Sequence, residues 1–585
     1  MLSKVSENKM HAVRWALVIG WLVLVVSLFY DPVTHYLTDP NNILSPLRDH
    51  HECIVVQDEC ISERPYPVGT RIFWGIIIPA GIFIVFVFGH ETWRRICPLY
   101  FLSQISRALG FKPRLNIENN QWLVRNHLYL QFSLLFLGLN SRILFINSTR
   151  LVLGLFLLTT ILSAITVVFL YGGRTWCHYV CPFGAVQMVF TGPRGLLGSN
   201  AYQAPPKSIT QSMCRIVDKT TGQEKSACVG CKSPCVDIDA ERAYWSELQK
   251  PGRKFVQYGY LGLVISYFLY YRLYSGNFNY YFSGIWTHQD NQLSTLFKPG
   301  FYIANQPVSI PKIVAVPLTL GLGVVLCYLI CTKLEKYYRA YLKHKSPQIS
   351  SQQVLHRTFS IITFLAFNSF FVYGGRPEIL HLPVLLQLLF NGLIVLVSTI
   401  CLVRNWGRSA EQYQRESLAH SFRRQLQRLP IDIEQFLNGR SLDNLKADEL
   451  FVLAEVLPQF SQQDRRYVYK SMLEEALAQT RTPSDRSLEY LTPIRQKLGL
   501  NDKEHYQILS VIGGDRPELL YPKQPETQAQ VQTQAKAQIP PTKIKRPQQP
   551  PTSGSAPTQI GRNNQQPQQP QTSGSAPTQI GRNNR

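Results

Sequence analysis

Acidic residues are scarce in this chain: 37 Asp and Glu face 60 Lys and Arg over 585 residues, for a formal net charge of +23. Inside the long apolar runs the scarcity becomes absence, since none of them carries a carboxylate. Together with the lack of matching Gly/Pro-broken helices in the two halves, this argues against an ion-coupled transporter, whose binding sites use such groups. The positive balance does not indicate nucleic acid either, because no helix-turn-helix, zinc-finger or aromatic RNA-binding pattern accompanies it. No residue set suits acid–base or nucleophilic catalysis, so "enzyme" would apply only as the electron-transfer subunit of an oxidoreductase complex. No apolar run carries the spaced histidine pair of a haem bundle; His356 and His381, near run ends, are the weaker haem candidates.

What is abundant is apolar sequence, 45% of the chain, with 12% aromatic residues. Runs long enough to cross a bilayer occur at about 11–30, 72–89, 128–146, 151–172, 255–273, 313–331, 358–373 and 380–403. The expected fold is all-α, a polytopic transmembrane bundle of about eight spans. The third run is the weakest, because Asn140, Ser141 and Arg142 interrupt it. The first run reads as an uncleaved anchor, since no small-x-small cleavage pattern follows it. Lysine and arginine accumulate on the cytoplasmic side of spans, and Lys4, Lys9 and Arg14 therefore put the N-terminus inside. Eight spans then return the C-terminus to the same side, along with the basic segments at 94–114, 194–254 and 333–345.

The expected divisions are a first anchor and outside loop (1–70), a membrane core (71–275) whose cytoplasmic segment is 174–254, an outside loop with further spans (276–404), a cytoplasmic helical domain (405–520) and a tail (521–585). Helical periodicity at 411–429 and 447–513, without cysteine or a phosphate-binding glycine loop, suggests an interaction or regulatory module. The Gln/Pro-rich tail repeats Thr-Ser-Gly-Ser-Ala-Pro-Thr-Gln-Ile-Gly-Arg-Asn-Asn from Thr552 and Thr572 and is expected to be disordered. The aromatic segment 270–288 suits a membrane interface first and a partner-docking surface second.

Cysteine spacing carries the chemistry. Arg174-Thr-Trp-Cys177-His-Tyr-Val-Cys181-Pro182 follows the fourth run, and Cys214 is followed by Cys228-x-x-Cys231-x-x-x-Cys235. Short gaps let one loop wrap several thiolates round an iron–sulphur cluster. The end of the second run, Gly89-His-Glu-Thr-Trp93-Arg-Arg-Ile-Cys97-Pro98, resembles Gly173 to Pro182, with Trp93 where Cys177 would sit. Cys214, Cys228, Cys231 and Cys235 suffice for one 4Fe-4S cluster. Cys97, Cys177 and Cys181 leave a second site one ligand short, with His178 or His90 as candidates for the fourth ligand, a three-iron cluster or no cluster being the alternatives. Thiolates at this spacing also suit structural zinc or a redox dithiol. Cys53 and Cys60, in the first outside loop, are placed for a disulfide; Cys327, Cys331 and Cys401 read as packing residues.

The paired helix-end Cys-Pro elements followed by a ferredoxin-like cysteine group resemble the membrane-bound polyferredoxin-type proteins of the NapH, NosR and CcoG kind. The resemblance covers about 70–275. It implies an integral membrane protein of a bacterial inner membrane or thylakoid-like membrane, with cytoplasmic-side 4Fe-4S clusters. Such a protein would pass electrons from an acidic soluble carrier of ferredoxin or flavodoxin type, or from quinol, to a membrane redox complex or an extracytoplasmic acceptor. The chain departs from the pattern at Trp93, at Lys225, where the first ferredoxin cysteine would stand, and at Pro234, which precedes Cys235 rather than following it. The competing expectation is a non-redox membrane assembly or regulatory factor with structural zinc or a redox-sensing cysteine site.

Overall fold

Where long runs of Leu, Val, Ile and Phe must satisfy their backbone without water, only a helix keeps every N–H paired within one segment. In the computed structural model the apolar runs are helices. It describes residues 5–48, 53–147, 149–198, 214–217, 221–226, 228–288, 292–345, 348–431, 433–458, 460–479 and 488–515; the expected tail and its repeat lie outside these. Long helices are α1 (Glu7–Ser27), α2 (Ile78–Ile96), α4 (Gln121–Ser141), α5 (Arg150–Tyr171), α8 (Pro251–Ser275), α9 (Lys312–Lys345), α10 (Ser351–Tyr373) and α11 (Val384–Trp406). Shorter ones that matter below are α3 (Pro98–Ser103), α6 (Pro182–Thr191) and α7 (Ala240–Glu247).

Among the described residues, seven helices are long and apolar enough to cross a membrane, which is compatible with an integral membrane protein. Their outward faces are apolar: Leu318, Leu322, Leu326 and Leu329 of α9 and Leu385, Leu389, Leu396 and Val403 of α11 are all exposed. Water-exposed helices show the reverse pattern. The helix over the expected fifth span, α8, is not among the seven. It is rich in tyrosine, and Tyr258, Tyr260, Tyr267, Tyr270, Tyr271 and Tyr274 are buried among its neighbours. A helix enclosed by protein over most of its surface, with Ile265 and Leu269 its exposed apolar residues, needs little lipid-compatible surface, which explains its lower hydropathy. Gly262 and Gly323 bring α8 and α9 to backbone contact: a Cβ on Gly262 would meet the Gly323 carbonyl and lie 2.7 Å from Cys327 Cβ. Small residues at such crossings allow close helix approach.

The polar residues of the weak third run turn inward. Arg142 is buried with its guanidinium 4.0 Å from the Trp74 ring and 5.1 Å from Tyr267, and its Nε donates to Asn147 Oδ1 at 3.1 Å. The helix therefore continues through the interruption, closing with a wide turn at Arg142–Ile146. The aromatic segment after α8 is internal rather than displayed: Tyr280, Tyr281, Ile285 and Trp286 are each at most 2% exposed. Trp286 stacks on Tyr281 at 5.7 Å. A docking surface made of these rings is thereby excluded.

A disulfide joins Cys53 and Cys60 across the hairpin of β1 (Cys53–Val56) and β2 (Glu59–Ser62). Cys327 and Cys331 pack against each other on α9, their sulphurs 3.7 Å apart, and Cys401 is buried in α11. His356 has both ring nitrogens engaged, with the Tyr244 hydroxyl and the Asn405 carbonyl, each at 2.8 Å; His381 Nε2 is 2.7 Å from Arg71. Neither is disposed toward haem. Beyond α11, helices Ala410–Leu426, Ala447–Val456, Gln462–Gln479 and Asp502–Asp515 share a core that includes Phe422, Leu450, Leu473 and Ile512. Arg408 bridges this part to the cysteine side of the molecule, pairing with Glu241 of α7 and with Glu416, each at 2.7 Å.

Candidate metal centre

Each Cys-Pro pair starts a short helix, because proline's fixed φ and missing N–H suit the first helical position. Cys97 precedes α3 with φ −58° and ψ 117°, and Cys181 precedes α6 with φ −53° and ψ 120°. The upstream glycine repeats as well: Gly89 has φ 75° and ψ −174°, Gly172 φ 71° and ψ −178°. Sequence comparison aligned Gly89 with Gly173. Backbone geometry aligns it with Gly172, leaving one extra residue in the second copy. The π-helical turn Trp176–Val180 absorbs that residue: Cys181 N–H donates to the Trp176 carbonyl at 2.8 Å, whereas Cys97 N–H donates to the Trp93 carbonyl at 2.8 Å, one residue nearer. Wide turns of this kind cluster at functional sites.

The two helix ends bring Cys97, Cys177 and Cys181 into one packed group with Tyr100, Ala164, Val168 and Trp176. Trp93 turns away from them and packs on Phe183 and over Gly81. Beside this group lies the second set, in which Cys231 is electrostatically coupled to Cys214 and Cys228, and Cys235 to Cys231 and Cys214. The loop is held against the turn that precedes Cys181. The Tyr179 hydroxyl donates to the Cys231 carbonyl at 2.9 Å, and Gly173, at φ +60°, leaves no room for a side chain. A Cβ there would lie 2.6 Å from Val229 Cγ2 and 3.2 Å from Cys231 Sγ. Gly173→Ala combines that clash with a backbone conformation costing about 1–2 kcal/mol for a residue with a Cβ. The variant is expected to keep its helix content by circular dichroism and to lose iron per chain.

Lys232 anchors the same loop to α7, 3.2 Å from Glu247 Oε1, with Lys250 at 3.5 Å. Burial pushes the Glu247 carboxyl up, but Lys232, Lys250 and His127 outweigh it and bring it to about 2. A depressed carboxylate stabilises fully above its unfolded value and loses that contribution progressively as pH falls from there through the folded one. Thermal stability of the wild type relative to Glu247→Gln should therefore be constant from pH 8 to about 5 and shrink below about 4.

Between the two cysteine sets lies a buried charge cluster that sequence reading did not assign. Arg94 Nη1 donates to both Asp237 oxygens, at 3.1 and 3.0 Å, and Arg174 Nη1 lies 3.8 Å from Asp237 Oδ1. Arg94 Nη1 also donates to His178 Nδ1 at 3.1 Å, so the ring proton sits on Nε2, 3.1 Å from Asp237 Oδ2. Burial opposes the Asp237 charge, but Arg94, Arg174 and the His178 hydrogen bond hold the carboxyl well below its usual range. Burial and Arg94 bring His178 down to about 4, consistent with that neutral tautomer. Arg94 and His178 both stand three residues before a Cys-Pro pair, so the repeat itself was the signal for this cluster. The Arg174 guanidinium lies 3.9 Å over the Tyr100 ring. His178 faces Cys235, 3.9 Å away, and His90 Nδ1 lies 3.3 Å from Gln187 Oε1, both rings bordering one cavity with Cys177.

The donor set fits an iron–sulphur cluster. Sulphur ligands of such clusters accept backbone hydrogen bonds, which tune the potential. Here Gly230 N–H is directed at Cys228 Sγ at 3.5 Å. The N–H groups of Arg174, Asp237, Phe183 with Gly184, and Leu99 with Tyr100 address Cys231, Cys235, Cys181 and Cys97. Burial pushes Cys181 and Cys231 up to about 12, so metal binding would have to release their protons. His178, Cys235 and Asp237 also bring ligand atoms within 4.8 Å of one another, but Arg94 and Arg174 already neutralise that carboxylate and would repel a lone cation.

A family model described as a 4Fe-4S binding domain matches residues 153–200, from within α5 through Cys177 and Cys181 into the segment after α6. No curated protein and no solved structure matches the chain. The match supports an iron–sulphur protein.

Proposed function

We propose that this chain is an integral membrane electron-transfer protein with eight spans and both termini cytoplasmic. One 4Fe-4S cluster is held by Cys214, Cys228, Cys231 and Cys235, and a second metal group sits at Cys97, Cys177 and Cys181. The observation that supports this most is that the segment matching a 4Fe-4S binding domain delivers its two cysteines to the place where the loop cysteines and their N–H donors also gather. Electrons would enter from an acidic ferredoxin- or flavodoxin-type carrier, steered by the basic surface of 174–254, or from quinol, and leave to a membrane redox complex or an extracytoplasmic acceptor in a bacterial inner or thylakoid-like membrane. Bound clusters supply one-electron carriers. The chain's own residues hold the thiolates, exclude water and fix the surrounding charge.

The test is iron, acid-labile sulphide and zinc analysis of anaerobically purified protein, with low-temperature electron paramagnetic resonance after dithionite reduction. About four irons and four sulphides per chain indicate the loop cluster alone, and about seven or eight indicate both groups. Zinc without iron or sulphide would reject electron transfer and favour the assembly or regulatory reading.

A further inference from the structure

One helix belongs to two cores. In Ala410–Leu426, Tyr413 packs into the core of the long helices, whereas Leu418, Phe422 and Leu426 lie in the core of the C-terminal helical domain. Tyr413 is buried, and its hydroxyl donates to Asp239 Oδ2 at 2.6 Å. Asp239 caps α7, its Oδ1 accepting the Arg242 N–H at 3.0 Å. The Asp239 N–H in turn donates to the Cys235 carbonyl, also at 3.0 Å. Two hydrogen bonds through a single residue therefore join the C-terminal domain to the last of the loop cysteines.

A second tie runs beside the first. Glu241, buried in the first turn of α7, pairs with Arg408 at 2.7 Å and with Arg194. Glu416, on the helix Ala410–Leu426, pairs with the same two arginines, at 2.7 and 3.1 Å. Arg194 follows α6, the helix that starts after Cys181, so this ring of four charges ties both cysteine-bearing segments to the C-terminal domain. No side chain in the ring is more than 24% exposed, and pairs buried to that degree are screened little by salt. The later part of α7 is anchored independently, by Tyr244 and Trp245 in the core of the long helices. Its first turn, next to Cys235, is the part held from the C-terminal domain.

We propose that the C-terminal helical domain is a lock on the loop cysteines. Docked, it holds the first turn of α7, and with it Cys235, in place for the metal; released, it lets that end of the loop open. Tyr413 and Arg408 are positioning residues, acting through Asp239 and Glu241. Linkage makes the effect mutual: the factor by which docking strengthens metal binding is the factor by which metal strengthens docking. The inference rests on the reading of Cys235 as a metal ligand and is the same for an iron–sulphur cluster and for zinc.

The experiment compares the full chain with Tyr413→Phe, Arg408→Gln and Tyr469→Phe. The last removes a hydroxyl buried inside the C-terminal domain, where it meets His505 Nδ1 at 2.8 Å, and leaves both ties to α7 intact. Three rates are read: loss of metal from the loaded protein to a chelator, alkylation of Cys235 in the metal-free protein by mass spectrometry, and hydrogen exchange of the helix Ala410–Leu426 with and without metal. Tyr413→Phe is expected to lose metal and to label at Cys235 about tenfold faster than the wild type, as for the loss of a hydrogen bond to a charged group. Arg408→Gln should be at least as fast, and Tyr469→Phe should keep the wild-type rates. Metal should slow exchange of the helix in the wild type, and Tyr413→Phe should remove most of that slowing. Wild-type rates in both docking variants, equal acceleration by Tyr469→Phe, or exchange indifferent to bound metal overturns the lock. A wild type that takes up neither iron nor zinc rejects the metal reading instead, and the alkylation rates then decide the lock by themselves.

Discussion

A Cys231→Ser variant should lose about four irons per chain and the corresponding reduced-cluster signal while keeping its helix content. Serine preserves the size of the side chain and its place against Gly173, so the Tyr179 contact to the residue 231 carbonyl can persist. What disappears is the sulphur that receives the Arg174 N–H. A 4Fe-4S cluster with one thiolate replaced by a hydroxyl is bound weakly, because alkoxide is a hard and strongly basic ligand beside soft thiolate. Cys177→Ser should act on the other group, removing its iron and leaving the loop signal. Cys327→Ser is the control, since Cys327 packs on α9 against Cys331 and the α8 surface. Iron and signal at wild-type levels in Cys231→Ser would remove that residue from the ligand set.

Asp237→Ala should be the most destabilising substitution in the charge cluster between the two cysteine sets. Asp237 is 2% exposed, and Arg94 and Arg174, at 4% and 1%, direct their charge at it. Removing one partner of a buried ion pair costs about 3–5 kcal/mol, because the remaining charge is left unsolvated. Here two guanidiniums are left, and His178 loses the acceptor of its Nε2 proton. Asp237→Asn keeps the volume and one acceptor and should cost less. Thermal unfolding followed by fluorescence size-exclusion, on protein prepared without metal as well as with it, separates this loss of packing from loss of cluster. An unchanged midpoint for Asp237→Ala in both preparations would show that the arginines find solvent or other partners.

Much of this was legible in the sequence because the signals are local. The apolar runs, the Cys-Pro helix starts and the x2 and x3 gaps each depend on neighbours in the chain, and a helix covers most of each run, although α9 continues well past its run to Lys345. The likeness of the two helix ends was also visible, though not its register, because a single inserted residue absorbed in a π turn leaves no trace in composition. The aromatic segment after α8 was misjudged for a related reason. Tyrosine is equally at home at a bilayer surface and in an enclosed, hydrogen-bonded core, and only the surrounding helices decide which. Asp237 was overlooked because its importance comes from Arg94, 143 positions away, and a lone aspartate after a cysteine announces nothing by itself.

The π turn before Cys181 has a consequence for anyone hoping to complete the three-cysteine group by mutation. Trp93 occupies the position in the first copy that Cys177 holds in the second, and Trp93→Cys looks from the sequence like a restored ligand. The first copy closes its turn one residue earlier, so a side chain at 93 leaves the helix in a different direction, toward Phe183 and Gly81. The new thiol would inherit the tryptophan's cavity in the apolar interior rather than a view of the metal. A graft of the second copy's wider loop, with its additional residue, is the smaller engineering step, because it moves the ligand by turning the backbone and not by changing the letter.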